Sequence, residues 1–347
     1  MAPRVKRCKR LEVHRMKKAV FLSDAVASIE RVYAQGRSDN LRAKVDLYPH
    51  VVGRANWAEH VDNLRDVEVA FSTWGMPPLD GEHLRALPSL RAVFYAAGSV
   101  QAFARPFLQR DIAVVSAWAA NAVPVAEFTL SQILLSCKGY FRNARACRDP
   151  EVRHAGTAFR GAGVFGETVG LIGIGMIGQT LCKLLRPFDL HVIGHDPYLD
   201  AQTAADLGVE MVSLPDLFAR AYVVSNHLPN IPATVGLLDG PLFSTLRANA
   251  TFINTGRGAQ VVEADLINVL RERPDLTALL DVTLPEPPVK ESPLYVLPNV
   301  QLSSHIAGSL NDEVVRMADY VLAEFERWEQ GEELRYAVTE QMLETMA

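Results

Sequence analysis

The sequence predicts an α/β protein built from two parallel-sheet domains. Short apolar runs alternate with helical segments from Lys17 onward, which is the pattern of parallel strands connected by helices. The chain has 347 residues, enough for two domains that each bury a core. A Gly-rich connector, RGAGVFGETVG, separates a first series of apolar runs from a second. These three observations together define the expected architecture.

The composition is typical of a globular protein. Apolar residues make up 49% and charged residues 22% of the chain, which argues against wholesale disorder, collagen or a coiled coil. No apolar run approaches the roughly 20 residues that a membrane-spanning helix needs. The four cysteines form no CxxC pair, so neither a metal site nor a disulfide framework is predicted. We therefore expect a cytoplasmic protein without a metal and without membrane contact.

The net charge of −5 is unevenly distributed, because residues 1–18 hold eight Lys or Arg and one Glu. Two interpretations of this basic arm, residues 1–16, stay open. It contacts nucleic acid or an acidic membrane surface, or it is a disordered or extended start that precedes the segment MKKAVFLS at Met16. We favour the second interpretation, so no nucleic-acid partner is expected.

The first series of apolar runs predicts five strands, in the segments AVFL, AKVDLY, VEVAF, LRAVFY and IAVVS. The loops STWGMPP, AAGSV and AWAANAVP follow the last three runs, at the carboxyl ends of strands, where open α/β sheets bind ligands. Residues 122–147 predict one long helix. Its apolar residues lie on more than one face, as in a helix buried between domains or subunits.

The second series contains a dinucleotide-binding pattern. Gly173, Gly175 and Gly178 form G-x-G-x-x-G directly after a strand and before a helical segment. The glycines permit a tight turn, close approach to a pyrophosphate and helix packing, and the helix start attracts phosphates. The next run ends at Asp196, whose carboxylate can accept hydrogen bonds from an adenosine ribose and would repel a 2′-phosphate, which favours NAD over NADP. The alternative is that the glycines serve close packing only.

Three charged residues follow later runs of the same series. Arg257 lies between two glycines in NTGRG, where it can clamp a carboxylate, although an ordinary surface arginine fits the spacing equally well. Glu286 lies five residues after Asp281, and His305 follows the run VQLSS. An acidic partner would fix the tautomer of His305 and favour its protonated form, which makes a general acid. Taken singly, such residues are more often structural, so the prediction depends on the whole constellation.

These motifs resemble the NAD-dependent D-2-hydroxyacid dehydrogenases over nearly the whole chain from Lys17. GLIGIGMIG with Asp196, SNHLP followed by Thr234, NTGRG, D-V-x-x-x-E-P and S-H-I-A-G occur in the order found in that family. The resemblance implies reduction of a 2-keto acid, or oxidation of the D-2-hydroxy acid, with NAD as the cofactor, in the manner of a glyoxylate or hydroxypyruvate reductase or a related enzyme. It further implies a homodimer, and a Rossmann dinucleotide-binding domain joined to a flavodoxin-like substrate domain with a cleft between them.

The resemblance also assigns site residues. His305 would be the proton donor, Glu286 its partner and Arg257 the substrate-binding arginine. The loop AAGSV resembles the family's Gly-rich substrate loop, and Trp74 fits a pocket wall and a core position equally well. The candidate substrate contacts besides Arg257 are Trp74, Ala97, Gly98 and Ser99. The candidate cofactor contacts are Gly173, Gly175, Met176, Ile177, Gly178, Asp196, Leu228, Pro229, Thr234, Thr255, Gly256 and Asp281.

Chain order predicts the domain boundaries. Residues 17–121 would form the substrate domain, completed by residues 311–347, and residues 122–310 would form the NAD-binding domain. Two crossings between the domains would make a hinge, and closure would exclude water from the cleft. One alternative function stays open. The family includes transcriptional corepressors that use NAD binding to control assembly, so an NAD-sensing scaffold without significant turnover is the competing hypothesis.

Overall fold

The computed structural model describes residues 15–346. The predicted basic arm, residues 1–16, lies outside the described residues except for Arg15 and Met16. Within residues 15–346, none of the helices combines the length and the apolar character that a membrane span requires.

Five parallel strands form the first sheet. Their bounds are β1 Lys17–Leu22, β2 Val45–Val52, β3 Val69–Ser72, β4 Ala92–Tyr95 and β5 Ala113–Ser116. The order β2-β1-β3-β4-β5 is the flavodoxin-like order, as expected. Every residue of β3 and β4 is buried, which explains why both strands appear in the sequence as continuous apolar runs.

Helices connect these strands. Their bounds are α1 Val26–Val32, α2 Arg37–Lys44, α3 Trp57–His60, α4 Gly81–Arg85 and α5 Ala104–Leu108. Helix α4 begins after Asp80, whose carboxylate accepts hydrogen bonds from the N–H groups of Glu82 and His83. Such a side-chain cap satisfies two of the donors that a helix start leaves free.

The long helix predicted over residues 122–147 is wrong. The structure contains two helices, α6 Trp118–Cys137 and α7 Tyr140–Ala146. Helix α6 begins early enough to include most of the predicted loop AWAANAVP. Between the helices Gly139 has a φ of 73°, and a Cβ there would lie 2.4 Å from the backbone nitrogen of Gly161. The chain turns at this position because only glycine allows the connector to pack so closely.

Seven parallel strands form the second sheet. Their bounds are β6 Glu167–Ile172, β7 Leu190–His195, β8 Glu210–Met211, β9 Val223–Asn226, β10 Thr251–Asn254, β11 Thr277–Leu280 and β12 Val300–Leu302. Taken from one edge, the order is β8-β7-β6-β9-β10-β11-β12. This is the Rossmann order with one further strand, and it reverses direction between β6 and β9, where such sheets bind ligands.

The remaining helices are α8 Pro150–His154, α9 Met176–Leu185, α10 Ala201–Leu207, α11 Leu214–Arg220, α12 Gly240–Ser244, α13 Glu263–Glu272 and α14 Val315–Gln330. Helix α14 returns to the first sheet. The ring of Phe325 lies 5.4 Å from that of Phe71 and 5.6 Å from that of Phe94. The chain then passes β5, where Ala337 bridges Val115, and so reaches the carboxyl end of the first sheet.

Candidate active site

A cavity of about 990 Å³ lies between the two sheets. Its lining comes from residues that directly follow strands of both sheets. Those after the first sheet include Trp74, Gly98 and Trp118, and those after the second include Gly173, Asp196, His227, Thr255, Asp281 and His305. Because all strands are parallel within each sheet, their carboxyl ends bring these distant loops together.

The glycine pattern forms a turn that closes against a neighbouring strand. Gly173 has a φ of 82°, and a Cβ there would lie 2.9 Å from the carbonyl of His227. At Gly178 a Cβ would lie 2.6 Å from the carbonyl oxygen of Gly173, so helix α9 packs tightly on the turn. At Gly175 the space is open. The free N–H groups at the start of α9, around Met176 and Ile177, therefore border a cavity that fits a pyrophosphate.

Asp196 is fixed beside this turn. Its carboxylate accepts a hydrogen bond of 2.7 Å from the N–H of Ile174 and one of 2.9 Å from the N–H of Tyr198. Both bonds hold the negative charge at the cavity wall. The side chain thus lies where a ribose hydroxyl of a dinucleotide bound at the turn can reach it.

A buried amide joins the two loops that follow β9 and β10. The Gln260 Nε2 donates to the carbonyl oxygens of Leu228 at 2.6 Å and Pro229 at 2.9 Å. Its Oε1 accepts from the Asn226 Nδ2 at 2.6 Å and from the N–H of Arg257 at 3.0 Å. Every hydrogen-bonding position of this amide is satisfied, so the loops are held in one arrangement. Neither Gln260 nor Asn226 was singled out in the sequence.

The guanidinium of Arg257 lines the cavity without a carboxylate partner. Its Nη1 donates to the carbonyl oxygen of Gly256 at 2.8 Å, and no ion pair to it occurs within residues 15–346. Burial lowers the pKa of Arg257, while the negative charge of Glu286 acts in the opposite direction. A partly desolvated cation with free donors is suited to bind an anion.

His305 and Glu286 form a pair at the same cavity. The His305 Nδ1 lies 2.7 Å from the Glu286 Oε1. This contact requires the hydrogen on Nδ1 when Glu286 is ionised, and it leaves Nε2 for a ligand. His305 has a φ of 57°, which is unusual for a residue with a Cβ and must be held by its surroundings.

Asp281 supplies that support. Its carbonyl oxygen accepts from the N–H of His305 at 2.9 Å. Its buried carboxylate accepts from the N–H groups of Ile306 and Ala307, both at 2.9 Å, and from the Ser303 hydroxyl at 2.7 Å. Asp281, directly after β11, therefore stabilises the left-handed backbone conformation of His305.

Asn121, on α6, connects the two sides of the cleft. Its Oδ1 accepts from the N–H of Ser309 at 3.0 Å. A Cβ added at Gly308 would lie 3.3 Å from this amide, and one added at Gly98 would lie 3.6 Å from it. The loop that carries His305 and the predicted substrate loop thus approach each other across a single side chain.

The cavity brings together most of the residues predicted for the site. Two do not line it. Ala97 is fully buried, and its carbonyl oxygen accepts from the Ser116 hydroxyl at 2.9 Å, whereas Gly178 packs against the turn. Glu286 reaches the site through His305. Trp74 lines the cavity and also packs against the core of the first sheet, so both interpretations apply to it.

The sequence prediction missed many of the residues that line the cavity, among them Tyr95, Trp118, Asn121, His227, Met342 and Met346. Tyr95 and Trp118 end or follow predicted strands, so the carboxyl-end rule was a usable signal for them. The two methionines come from a segment with no motif.

The fold and the site define a two-domain dinucleotide-binding protein that carries an arginine and a His–Glu pair in its cleft. The chain belongs to the D-isomer specific 2-hydroxyacid dehydrogenase family, whose NAD binding domain matches residues 130–307. This match confirms the predicted resemblance and NAD as the cofactor of the domain.

Two relatives show the extent of the similarity. D-3-phosphoglycerate dehydrogenase of Mycobacterium leprae is 34% identical over 232 residues, which cover 67% of this chain but only 43% of that protein. (S)-Sulfolactate dehydrogenase of Chromohalobacter salexigens is 33% identical over 243 residues, covering 69% of this chain and 78% of that protein. The chain thus spans less than half of the phosphoglycerate dehydrogenase that it matches.

Solved structures share the fold. The TT0316 protein from Thermus thermophilus superposes with a TM-score of 0.69 at 25% identity, covering 92% of this chain and all of that one. Rhodotorula graminis D-mandelate dehydrogenase superposes with a TM-score of 0.79 at 23% identity, covering 94% of this chain and 98% of that one. At 23% identity, the similarity to D-mandelate dehydrogenase is evidence for the fold alone, and it confirms the predicted fold class.

Proposed function

We propose that the protein is an NAD-dependent oxidoreductase that interconverts a 2-keto acid and the corresponding D-2-hydroxy acid. The observation that carries this proposal is the convergence of Arg257 and the His305–Glu286 pair on the cavity that also contains the glycine turn. Membership of the family supports it, as do the relatives named above, which are dehydrogenases.

The residues at the turn fit a dinucleotide. The open backbone at Gly175 and the N–H groups that start α9 would hold the pyrophosphate. Asp196 would accept hydrogen bonds from the ribose and repel a 2′-phosphate, which favours NAD. When bound, the reduced cofactor supplies a hydride to the keto carbon, so that it loses two electrons and the keto acid gains them.

Arg257 would hold the carboxylate of the substrate. A bidentate, charge-assisted pair places the neighbouring keto carbon at a fixed distance from the loop, and partial burial of the guanidinium strengthens the attraction. Gly98 and Ser99, on the opposite wall, would limit where the carboxylate can lie. This is a positioning role in both reaction directions.

His305 would transfer the proton. Its Nε2 donates to the keto oxygen during reduction, and the ring is left neutral while Nδ1–H still donates to Glu286. In the oxidation direction the neutral Nε2 accepts the hydroxyl proton. Asp281 acts as a positioning residue, because its carboxylate holds the turn at His305.

We also propose the domain division expected from the sequence, with residues 17–121 and 311–347 in one domain, residues 122–310 in the other, and a hinge between them.

We further propose a homodimer that forms through α6 and the residues around it. Large apolar side chains are exposed there, namely Leu135, Tyr140 and Phe165. The Gln132 Oε1 and Ser136 Oγ are buried without a partner among the described residues. The free thiols of Cys137, Cys147 and Cys182 agree with the expected cytoplasmic location. Sedimentation analysis at several concentrations tests the dimer, and a monomer at all of them contradicts it.

The experiment for the reaction follows NADH absorbance with glyoxylate, hydroxypyruvate, pyruvate, phenylpyruvate and branched 2-keto acids. We expect turnover of at least one acid. Arg257→Ala should lower kcat/KM by at least about 100-fold, since each charge-assisted hydrogen bond contributes about 1.5–3 kcal/mol. The fluorescence of bound NADH should show unchanged cofactor affinity in this variant. Tight NADH binding without turnover of any acid would contradict the proposal and favour the NAD-sensing scaffold.

A further inference from the structure

Three aromatic side chains stand at the carboxyl edge of the first sheet. Trp74 follows β3, Tyr95 ends β4 and Trp118 follows β5. These strands are neighbours in the sheet, and adjacent strands lie about 4.8 Å apart, so the three residues share one edge. All three line the same cavity as Arg257 and His305, which come from the second sheet.

Packing restricts each of these rings. The ring of Tyr95 meets that of Phe103 edge to face at 4.9 Å, and that of Trp118 meets Tyr336 in the same way at 5.8 Å. The guanidinium carbon of Arg31 lies 5.5 Å from the centre of the Trp74 ring. An aromatic wall held in this way loses little freedom when a ligand packs on it.

A segment far along the chain completes this wall. Residues 336–346, here named the closing segment, run from β5 to the loop AAGSV. The N–H of Val338 donates to the carbonyl oxygen of Val114 at 2.7 Å, and Leu343 is buried in the core. Gln101, directly after that loop, donates from Nε2 to the carbonyl oxygens of Leu343 and Met346, both at 2.6 Å. Met342 and Met346 consequently line the cavity beside the aromatic side chains.

The charges on this side of the cavity are few. Among the described lining residues that precede α7 or belong to the closing segment, none carries a carboxylate, and Arg31 of α1 carries the one formal charge. Arg31 is exposed and stacks on Trp74. The other polar side-chain groups on this side are the hydroxyls of Tyr95, Ser99 and Thr345, the amide of Asn121 and the indole N–H groups of Trp74 and Trp118, and the remaining lining side chains there are apolar.

We infer that the substrate is a 2-keto acid with a bulky, apolar and preferably aromatic side chain, and that Met342 and Met346 of the closing segment determine this preference. The inference rests on the proposed function. Arg257 and His305 engage the carboxylate and keto groups, which every 2-keto acid shares. The substituent then points away from them, against Trp74 and the methionines. Each methylene group transferred from water to such a wall favours binding about fourfold.

The test compares kcat/KM for phenylpyruvate, glyoxylate and oxaloacetate with NADH. We expect phenylpyruvate to exceed both other acids by at least about 10-fold. Met346→Ala should lower kcat/KM for phenylpyruvate about 10-fold and leave kcat/KM for glyoxylate within twofold of the wild-type value. Met346→Leu should keep kcat/KM for phenylpyruvate near the wild-type value, because leucine retains most of the apolar volume of methionine. Met211→Ala is the matched control, since Met211 is an exposed residue of β8 outside the cavity.

Preference for glyoxylate would overturn the inference, and so would equal losses for both acids in Met346→Ala. Preference for oxaloacetate would also overturn the inference, and it would indicate that Arg31 binds a second anionic group of the substrate. Calorimetric binding of D-phenyllactate and glycolate in the presence of NAD⁺ separates the two proposals. No turnover of any acid, together with at least 10-fold tighter binding of phenyllactate, would reject the reaction but keep the apolar site. Equal or weaker binding of phenyllactate would reject the apolar site.

Discussion

In each sheet the parallel strands end at one side, here called the first edge for the first sheet and the second edge for the second sheet. Both edges follow the same topological rule, but they carry side chains of different chemistry. The edge of the second sheet holds Arg257, Asp281 and His305 in hydrogen-bonded loops. The edge of the first sheet presents Trp74, Tyr95 and Trp118, which are held by ring packing. Under the proposed function, the charged groups at one edge would bind the atoms that all 2-keto acids share, and the apolar groups at the other would contact the atoms in which they differ. We therefore propose that the reaction and the choice of substrate are assigned to different edges of the cleft.

The largest effect is expected at the second edge. His305→Ala should lower kcat about 10²–10⁴-fold for every accepted acid, because it removes the proposed proton donor. Glu286→Gln should lower it less, since an amide oxygen can still accept from the His305 Nδ1–H. Steady-state kinetics measures both effects, and NADH fluorescence shows whether cofactor binding is preserved. Retention of kcat within 10-fold in His305→Ala would remove this residue from the mechanism.

A smaller effect at the same edge concerns cofactor choice. Asp196→Asn keeps an oxygen that can accept from the N–H of Ile174 but removes the negative charge. We expect the ratio of kcat/KM for NADPH to that for NADH to rise about 10-fold, as for the loss of about 1.4 kcal/mol of repulsion. Asp46→Asn, which removes an exposed charge from β2, is the control. An unchanged ratio in Asp196→Asn would mean that this carboxylate does not face the ribose.

The last expected effect concerns stability rather than rate, and it is a pH dependence that arises in the acidic range at the second edge. His227 is buried, and burial lowers its pKa to about 4. In the unfolded chain the pKa is about 6.5, so between these values the unfolded state binds a proton that the folded state does not. The stability contributed by neutral His227 is therefore lost as the pH falls from about 6.5 to 4.

Urea unfolding at pH 7 and pH 5 tests this expectation. The decrease in the free energy of unfolding between the two pH values should be about 2 kcal/mol smaller in His227→Gln than in the wild type. Equal decreases in both proteins would show that His227 titrates normally in the folded state. Trp74→Phe, a change at the first edge, should leave the wild-type pH dependence unchanged.

The two edges also differ in how far the sequence predicted them. The second edge follows motifs in which each residue has a local reason, such as the glycine turn at Gly173 or the arginine between two glycines. At the first edge the loop AAGSV was the one motif, and it does not include Tyr95, Trp118 or Met346. Tyr95 and Trp118 come to the same cavity only when neighbouring strands pair, and Met346 reaches it only after α14 has packed on the first sheet. The break at Gly139 was equally hidden, because it depends on contact with Gly161.

The separation of reaction from selection is tested most directly by the ratio of kcat/KM for phenylpyruvate to kcat/KM for glyoxylate in two variants. In His305→Gln both values should fall by the same factor, so the ratio should stay within about twofold of wild type, while the rates fall by about 10²-fold or more. In Met346→Ala the ratio should fall about 10-fold with the glyoxylate value preserved. A ratio that changes in His305→Gln, or one that is unchanged in Met346→Ala, would contradict the account.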